Sequence, residues 1–594
     1  MYKLIIFLSI LLCASRLSAQ LPAYQQLVKK ASALHKQKEY RAAAASYAEA
    51  FKLSNDADYI DRYNAACSAA LAQDKAQAFK WLHEIIGISY FNYEHLLADA
   101  DFASLHEDKR WLPLLNRILR VKPALLKPAQ LYTDFDLLTK ALKEAHTGLY
   151  WYNSKPQFDS ICMVQRAKIR PGLHALDFYS LLAPIVAFTK EGHTFLRPDQ
   201  QTGAYLKYGA RYFPFYVKIL AGKVYLINDL DALKTKGMLL TQINGISIDS
   251  IMQRFMANEP ADGFNTSSKY RWIEEQGNFN TYYARCYPQT EFFSISVTNP
   301  QTKERKDYSK IRAVSYADFR TAYAASLKEF PAMTYTLPAM LSTDTITKTA
   351  TLTFNTFDAK QYRAAKLDFQ VWVKAAFAQI KQQRMEHLII DLRNNGGGKE
   401  GYEDYVLSYM ISKDYAKYDY VQASAFSYSF YPYTDYKGDW MVLDSLMRLE
   451  HDLHQDGRIL RKAGIEVHTA PQPDPYLGKV YVLTSGLTYS GGAEFTSLLK
   501  NYTKAVFIGE EVGGGYYGNT SGFRIVLKLP NSKLEIGIPL LKFAVHTPDQ
   551  TVPFGHGIMP DYPVQPTIKQ FLKNEDAEMM LTKELIAGKG IKSR

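Results

Sequence analysis

The chain has 594 residues, 47% of them hydrophobic and 22% charged, a composition typical of a globular protein with several domains and not of a disordered or fibrous chain. Its net charge of +12 is spread along the sequence without any long block of like charges, so we predict a solvated basic surface and no nucleic-acid partner. The 43 Tyr and 31 Phe side chains are suited both to cores and to peptide grooves.

Residues 1–19 are typical of a secretory signal peptide. Lys3 precedes an apolar run over residues 4–14, and a small-residue cleavage site at residues 17–19 is followed by Gln20. Cys13 does not indicate lipoprotein processing, because two leucines precede it where a small residue is expected. No later stretch has 18 uncharged apolar residues, so we predict an exported protein, periplasmic or extracellular, without a membrane span after cleavage.

The other cysteines are Cys67, Cys162 and Cys286, an odd and widely spaced set that argues against a disulfide framework. They form no CxxC or Cys/His spacing of the kind that holds a structural metal. We therefore expect neither a metal nor a cofactor.

Residues 20–124 carry Ala-rich segments of helical character that repeat at a spacing of 34, so that Ala44 matches Ala78 and Tyr47 matches Trp81. Small residues at these positions let antiparallel helices approach closely. The segment resembles tetratricopeptide repeats, and the resemblance implies a surface that recruits a protein partner. A helical stalk without a binding role is the alternative.

Residues 125–204 continue as a mainly helical segment that we assign to the same unit as residues 315–575. Two His-Thr pairs lie within it, at residues 146–147 and 193–194. Histidines are candidates for acid–base chemistry, although each alone is more typical of a core or surface residue.

Residues 205–314 change to short strands with turn signals. Two strands are predicted over Phe213–Leu226, followed by an apolar strand that ends in Asn244 and Gly245 and by a helix over Ile246–Met256. This order resembles a PDZ domain, which accepts a peptide as an added strand at an open sheet edge. The resemblance assigns substrate binding to Asn244 and Gly245, and a generic hairpin followed by a helix is the alternative.

Residues 315–575 alternate strands with helices, and residues 576–594 form a C-terminal tail. The alternation implies parallel strands joined by right-handed crossovers. An aromatic-rich insertion at residues 401–440 either covers a cleft or packs on the sheet. The predicted strands are Ala350–Phe354, His387–Leu392, Lys479–Thr484 and Ala505–Gly509, and the predicted helices are Gln361–Gln383 and Gly492–Asn501.

Two loops in this part carry the candidate chemistry. Asp391–Gly398 reads DLRNNGGG after a buried strand, and its glycines can bring backbone N–H groups close to a ligand. It lacks the Gly-Lys-Ser/Thr ending of a nucleotide loop. Leu483–Phe495 reads LTSGLTYSGGAEF and places Ser490 at a helix start, where N–H groups face the charge that develops during acyl transfer. Taken alone, such a serine is more typical of a helix N-cap.

Together with three shorter motifs, these loops resemble one family of serine peptidases, the tail-specific (C-terminal processing) and tricorn-like proteases. The shorter motifs are Lys190–Thr194 (KEGHT), Val506–Glu510 (VFIGE) and Gly557–Asp561 (GIMPD). The resemblance spans roughly residues 130–200 and 315–575. It implies a crotonase-like α/β catalytic domain within a multidomain α+β chain.

The resemblance also implies roles for individual residues. Ser490 would be the nucleophile that forms an acyl-enzyme, and the N–H of Gly491 would build the oxyanion hole with the N–H of Gly396 or Gly397. Tyr489, next to the serine, is assigned to substrate binding.

At the position of the general base, the sequence differs from the tail-specific branch of the family. That branch has a lysine in a Gly-Lys at the end of Gly-Glu-x-x-x-Gly-Lys, whereas residues 509–516 read GEEVGGGY. The tricorn-like branch uses a histidine, and the KEGHT motif points to His193 as the base. His146, His546 and His556 are the alternatives.

A third catalytic member, which would orient the imidazole, stays open at this point. The tricorn-like pattern has a glutamate where residues 554–556 read FGH, so Asp549, Asp561 and Glu191 are the candidates.

The leading hypothesis is an exported serine peptidase that acts on a peptide or protein through Ser490 and His193. The first alternative is a catalytically inactive member that serves as a peptide- or ligand-binding scaffold in the cell envelope, as in retinoid-binding proteins that resemble this family. The second is an envelope assembly protein that works through its helical repeats.

Overall fold

The computed structural model describes residues 23–54, 58–230, 232–436, 438–465 and 468–588. The predicted signal peptide and Cys13 lie outside these residues. Within them, no helix has the length and apolar character needed to cross a membrane. The chain divides into two compact units, one ending at Ala124 and including Gln200–Gly209, the other formed by Leu125–Asp199 and the residues from Ala210 onward.

The first unit is helical, as predicted. Its core contains the small residues Ala65, Ala66, Ala69 and Ala70, which are fully buried where helices approach one another. The helices are Ala23–Lys36, Tyr40–Leu53, Tyr59–Leu71, Lys75–Ile85, Tyr93–Ala98, Trp111–Leu119 and Gln200–Ala204, with a 3-10 turn at Ala100–Leu105 and a π turn at Tyr205–Gly209.

The second unit is a mixed α/β structure with three sheets. Its strands are β1 (Phe195–Arg197), β2 (Val217–Leu220), β3 (Lys223–Leu226), β4 (Leu239–Ile243), β5 (Ile246–Ser247), β6 (Phe292–Thr298), β7 (Arg305–Arg312), β8 (Ala339–Asp344), β9 (Thr349–Phe354), β10 (His387–Asp391), β11 (Tyr418–Ala423), β12 (His451–Leu453), β13 (Ile459–Arg461), β14 (Lys479–Thr484), β15 (Val506–Gly509), β16 (Gly518–Lys528), β17 (Glu535–Val545) and β18 (Tyr562–Pro563).

Helices cover these sheets. They are Pro128–Ala145, Lys155–Arg166, Ala175–Phe188, Ile248–Asn258, Ser267–Glu274, Asn278–Cys286, Tyr316–Glu329, Ala359–Ala364, Phe369–Gln382, Tyr402–Ser408, Trp440–Glu450, Gly491–Tyr502, Ile568–Leu572 and Ala577–Ile586, with 3-10 turns at Glu275–Gly277, Pro331–Met333 and Tyr431–Tyr433.

The central sheet has the order β18-β15-β14-β10-β9-β8, and all its strands are parallel except β8. This confirms the predicted parallel pairing. Leu388 and Ile390 of β10 enter one core and Ile389 enters another on the opposite face, which explains the continuous apolar run of this strand. The strands β10 and β14 are neighbours, so the loops that follow them leave the sheet side by side.

The prediction of one helix over Gln361–Gln383 is wrong. The structure has two helices, Ala359–Ala364 and Phe369–Gln382. Lys366 has a φ of 56°, which ends the first helix, and the side chain of Asp368 caps the second by accepting from Val371 N. The apolar periodicity of the sequence does not reveal this break, because both helices pack apolar side chains into the same core.

The helix predicted from Ile246 begins two residues later. Ile246 and Ser247 form β5, which pairs with β4, and Ser247 caps the helix Ile248–Asn258 through a bond from Ser250 N to its hydroxyl. The prediction missed a short strand whose pairing depends on the tight turn before it.

The second sheet has the order β1-β17-β11-β13-β12, with β16 also paired to β17. Helices Pro128–Ala145, Lys155–Arg166 and Ala175–Phe188 share a core with it. Tyr428 and Phe430 of the aromatic-rich insertion are buried in this same core. The insertion therefore packs on a sheet.

The third sheet lies in residues 205–314 and has the order β2-β3-β4-β6-β7, with β5 on β4. Side chains cap its β2 edge at Ile219, whose N–H donates to Glu274 and whose carbonyl accepts from Arg271. The same Arg271 guanidinium forms two bonds to Glu510, next to β15 of the central sheet. A peptide that added as a strand at Ile219 would compete with these side chains.

We predict that Arg271→Leu lowers the free energy of unfolding by about 3–5 kcal/mol, because it leaves Glu510 buried without its cation and leaves Glu274 with Lys218 alone. Urea denaturation monitored by circular dichroism measures the change. Arg305→Leu is the matched control, since its pair with Asp307 is exposed and is worth at most about 1 kcal/mol. Equal effects of the two substitutions would contradict the prediction.

Candidate active site

The loops after β10 and β14 are joined by hydrogen bonds. The carbonyl of Asn395 accepts from Tyr489 N at 2.9 Å, and the hydroxyl of Thr488 donates to the carbonyl of Leu392 at 2.8 Å. These bonds fix the glycine loop Asp391–Gly398 beside the start of the helix Gly491–Tyr502. The sequence predicted both loops, and the sheet order brings them together.

Ser490 occupies a strained backbone position. Its φ of 51° and ψ of −127° lie in a region that residues with a side chain rarely adopt, at a cost of about 1–3 kcal/mol. The strain turns the chain sharply between β14 and the helix. Its hydroxyl makes no cap bond to that helix, unlike an ordinary N-cap serine, and is free to face a partner elsewhere.

Gly397 lies in direct backbone contact with the serine. A Cβ atom at this position would lie 2.6 Å from Gly491 N and 2.7 Å from the Cβ of Ser490, distances that real Cβ atoms do not show. Gly397 also has a φ of 90°. Only glycine therefore lets the two loops approach so closely.

Two backbone N–H groups of the glycine loop already donate hydrogen bonds within the loop. Gly396 N–H donates to the carbonyl of Asn394, and Gly397 N–H donates to Oδ1 of Asn395. Gly398 N lies 3.6 Å from the Cβ position of Gly491, at the start of the helix Gly491–Tyr502. Gly398 is therefore a further candidate N–H donor near Ser490.

His193 contacts Ser490 across almost three hundred residues of sequence. Its Nε2 lies 3.2 Å from the Oγ of Ser490, within hydrogen-bond distance. Burial lowers the pKa of His193 below its ordinary value of 6.5, against an opposing effect of the Asp262 charge. The imidazole is therefore neutral at pH 7 and able to accept a proton.

Tyr489 lies behind this imidazole. Its hydroxyl is 3.5 Å from Nδ1 of His193 and 2.5 Å from Oδ1 of Asp262. Both Tyr489 and Asp262 are buried. Asp262 comes from the third-sheet part of the chain, and sequence reasoning missed it because no pattern links it to the loops it joins in space.

The other histidines have different partners. Nε2 of His146 pairs with the hydroxyl of Thr194 at 2.7 Å, and burial lowers the pKa of His146 to about 4. His546 pairs with Asp419, and His556 pairs with Glu511. In the described residues, the recorded histidine contact of the Ser490 hydroxyl is to His193.

The carboxyl groups considered as a third member have other partners as well. Asp549 pairs with Lys500, and Asp561 accepts from Phe507 N. Glu191 accepts two bonds from Thr520, and burial together with the Asp262 charge raises its pKa well above the usual range.

Lys417 is buried close to the helix Gly491–Tyr502. Its Nζ pairs with Glu403 at 2.5 Å and Asp404 at 2.6 Å, and lies 3.8 Å from Glu494. Burial opposes its charge, but these carboxylates raise the pKa of Lys417 well above its usual range. A lysine held in its charged form cannot serve as a base, so Lys417 is a structural cation.

Asn244 and Gly245 form the turn between β4 and β5. The side-chain carbonyl of Asn244 accepts from Ser294 N at 2.8 Å, which ties the turn to β6. No hydrogen bond recorded for the described residues joins this turn to the surroundings of Ser490.

A cleft of about 1310 Å³ opens beside the glycine loop and extends between the third sheet, the central sheet and the C-terminal helices. Its walls carry more carboxylates than cations, although the chain as a whole is basic. The cations are Lys218, Arg271, Arg320 and Arg393, and the carboxylates are Glu274, Glu275, Asp358, Asp391, Glu510, Glu575, Asp576 and Glu578.

Comparisons with known proteins fit this arrangement. Residues 348–564, which include both loops, match the model of peptidase family S41. The comparison with curated proteins gives no match. An alanine mutant of CPAF is 14% identical with a TM-score of 0.55, over 78% of this chain and 99% of that chain.

Mature CPAF complexed with lactacystin is 13% identical with a TM-score of 0.51 and the same coverage. The photosystem II D1 C-terminal processing protease is 12% identical with a TM-score of 0.33, over 74% of this chain and 94% of that chain. At this level of identity, the two CPAF structures show a common fold over most of the chain.

We predict that Gly397→Ala slows the reaction of Ser490 with a fluorophosphonate probe by about 100-fold or more, because the new methyl group displaces Ser490 and Gly491 N. Intact mass spectrometry over time measures the rate. Gly396→Ala is the matched control, since its Cβ would meet no atom within 4 Å, and it should react within a few-fold of the parent chain. Equal rates for the two variants would contradict the prediction.

Proposed function

Because residues 348–564 match peptidase family S41, the chain belongs to this family of serine peptidases, and we propose that it hydrolyses peptide bonds through an acyl-enzyme on Ser490. The observation that carries this proposal is the 3.2 Å contact between Nε2 of His193 and the Oγ of Ser490. A serine hydroxyl is a weak nucleophile without a base, and the neutral imidazole of His193 supplies one.

The first half of the reaction forms the acyl-enzyme. The Oγ of Ser490 attacks the carbonyl carbon of the substrate while His193 takes its proton, and the oxyanion is received by N–H groups of Gly491 and the glycine loop. Gly398 joins Gly396 and Gly397 as a candidate donor, since the N–H groups of the latter two are bonded within the loop. The imidazolium then protonates the leaving amine, and the C–N bond breaks.

The second half is hydrolysis. Water enters, loses a proton to His193 and attacks the acyl carbon. The bond between that carbon and Oγ of Ser490 then breaks, the imidazolium returns a proton to Oγ, and the carboxylic acid product leaves. The chain thus supplies the nucleophile, the base and the oxyanion donors, and water is the second substrate.

We assign the central sheet to a crotonase-like catalytic domain, the third sheet to a PDZ-like domain, and residues 20–124 to tetratricopeptide-like repeats that recruit a protein partner. The signal-peptide pattern of residues 1–19 supports export to the periplasm or beyond.

We predict that a fluorophosphonate probe forms one adduct, on Ser490, and that Ser490→Ala abolishes both the adduct and peptide hydrolysis. His193→Ala should slow the labelling by at least about 1,000-fold, because the hydroxyl loses its base. Peptide mapping after labelling locates the adduct.

Two controls accompany this experiment. Ser497→Ala removes another buried hydroxyl of the same helix and should leave labelling unchanged, and His146→Ala tests the alternative base. An unlabelled but folded chain that still binds peptides would instead favour the inactive binding scaffold.

We predict that the enzyme prefers peptides with lysine or arginine near the scissile bond, because carboxylates predominate in the cleft beside Gly396–Gly398. Matched peptides with Lys or Glu should differ about tenfold in kcat/KM at low salt, and the difference should shrink as salt screens the charges.

Asp358→Asn should reduce this preference, since Asp358 lies next to Gly398 and an asparagine keeps its helix cap. Asp344→Asn is the matched control, because Asp344 makes a similar turn contact outside the cleft. A preference for the Glu peptide would contradict an acidic binding cleft.

A further inference from the structure

Two buried side chains lie behind His193 on the side away from Ser490. The Tyr489 hydroxyl is 3.5 Å from Nδ1 of the imidazole and donates to Oδ1 of Asp262 over 2.5 Å. Tyr489 is 6% exposed and Asp262 is 1% exposed. The imidazole thus has the nucleophile at one ring nitrogen and a buried tyrosine–carboxylate pair at the other.

The direction of these hydrogen bonds follows from their chemistry. Burial, assisted by the Asp262 charge, raises the pKa of Tyr489 well above its usual range, so its hydroxyl keeps its proton. That proton points to Asp262, whose carboxylate can only accept. The Tyr489 oxygen therefore presents a lone pair to Nδ1, which favours the tautomer with its proton on Nδ1. Nε2 then carries the lone pair that faces the Ser490 hydroxyl.

We propose that Tyr489 and Asp262 are the positioning residues of the general base. They hold His193 in the tautomer that accepts the serine proton, and they stabilise the imidazolium that results. No proton moves to Tyr489 or Asp262 during the reaction: the serine proton goes to Nε2 and from there to the leaving amine. The proposal rests on the proposed function, since it explains how the base of that reaction is oriented.

The position of Asp262 is itself fixed by backbone groups of the catalytic unit. Its Oδ1 also accepts from Gly192 N at 2.9 Å, and its Oδ2 accepts from Gly515 N at 3.1 Å. The neighbouring Gly263 N–H donates to the carbonyl of Lys190, three residues before the histidine. The loop that carries Asp262 and the loop that carries His193 are therefore bonded at two points, which restrains the carboxylate relative to the imidazole.

This arrangement gives the third-sheet part of the chain a role in catalysis. Asp262 follows the helix Ile248–Asn258 of that part, yet its carboxylate lies in the active site. The proposed third member of the triad thus comes from the third-sheet part of the chain. It acts on His193 through Tyr489, the residue before the nucleophile.

The test uses Tyr489→Phe and Asp262→Asn in the full chain, with kcat/KM followed against pH on a peptide that the parent enzyme cleaves. Both variants should lower the plateau of kcat/KM by at least about 10-fold, through kcat and not KM, because both residues are buried behind His193, on the side away from Ser490. Ser490 should also react more slowly with the fluorophosphonate probe.

The pH profile separates positioning from a structural role. Activity requires neutral His193, so the acid limb of the parent enzyme should lie below pH 6.5, the ordinary value of histidine. The charges of Asp262 and Glu494 raise the pKa of His193, and Arg524 lowers it. Asp262→Asn removes the larger of the two raising charges, so its acid limb should move to a lower pH than that of the parent.

Matched controls remove similar groups elsewhere. Tyr516→Phe deletes a buried hydroxyl bonded to Asn501 and Asp549, and Asp134→Asn neutralises a buried carboxylate bonded to Ser532. Both should keep the parent plateau and acid limb. Folded Tyr489→Phe and Asp262→Asn variants that match these controls would overturn the proposal.

A measurement on the parent chain covers the case in which the variants do not fold. In protein with ¹⁵N-labelled histidine, the His193 signals, assigned by their loss in His193→Ala, should report a proton on Nδ1. A proton on Nε2 would overturn the proposal. A parent chain that reacts at Ser490 but fails these tests rejects only the positioning pair, whereas a parent chain that never reacts rejects the proposed function and the pair together.

Discussion

The contact between the backbone of Gly397 and that of Ser490 and Gly491 sets the geometry on which the rest of the site depends. Parallel neighbouring strands place the two loops about 5 Å apart where they leave the sheet. At that spacing a side chain at Gly397 would overlap the nucleophile loop, so the missing Cβ is a steric requirement. The strained φ of Ser490 persists because the bonds of Asn395 and Thr488 hold both loops in place.

A second constraint joins the third sheet to the central sheet. Arg271 bridges Glu274 and Glu510 while closing the edge of β2, and all three side chains are buried. Desolvation makes such a network a weak source of net stability, but each group needs the others once it is buried. The network thus favours one docking of the third sheet against the central sheet. Asp262, which the same part of the chain carries, contacts Tyr489 in this docking, so the charge pairing supports the arrangement that we propose for the base.

Local patterns in the sequence predicted the parts of the structure that depend on local physics. The apolar run of β10, the glycine loop and the helix after Ser490 each carry their own signal, and the structure contains them within one or two residues of the predicted ends. The break at Lys366 was missed because a change in backbone conformation need not interrupt the apolar periodicity. The contact of His193 with Ser490 was expected only through a family resemblance. The contacts of Asp262 and the capping of Ile219 were not predicted at all. Both are contacts between residues far apart in the sequence, which no periodic pattern connects.

The absence of a lysine base also has a steric explanation. Counted from Gly509 and Glu510, the lysine position of the tail-specific pattern falls on Gly515. A Cβ there would lie 2.6 Å from the carbonyl oxygen of Gly518 and 3.7 Å from the Cβ of Asp262, so a long side chain has no room. The N–H of Gly515 instead donates to the carboxylate of Asp262. A lysine acts as a base only in its neutral form, and a carboxylate beside it favours the charged form. The Asp262 carboxylate in this space therefore disfavours a lysine base, whereas it would stabilise the imidazolium of a histidine base, the role that we propose for His193.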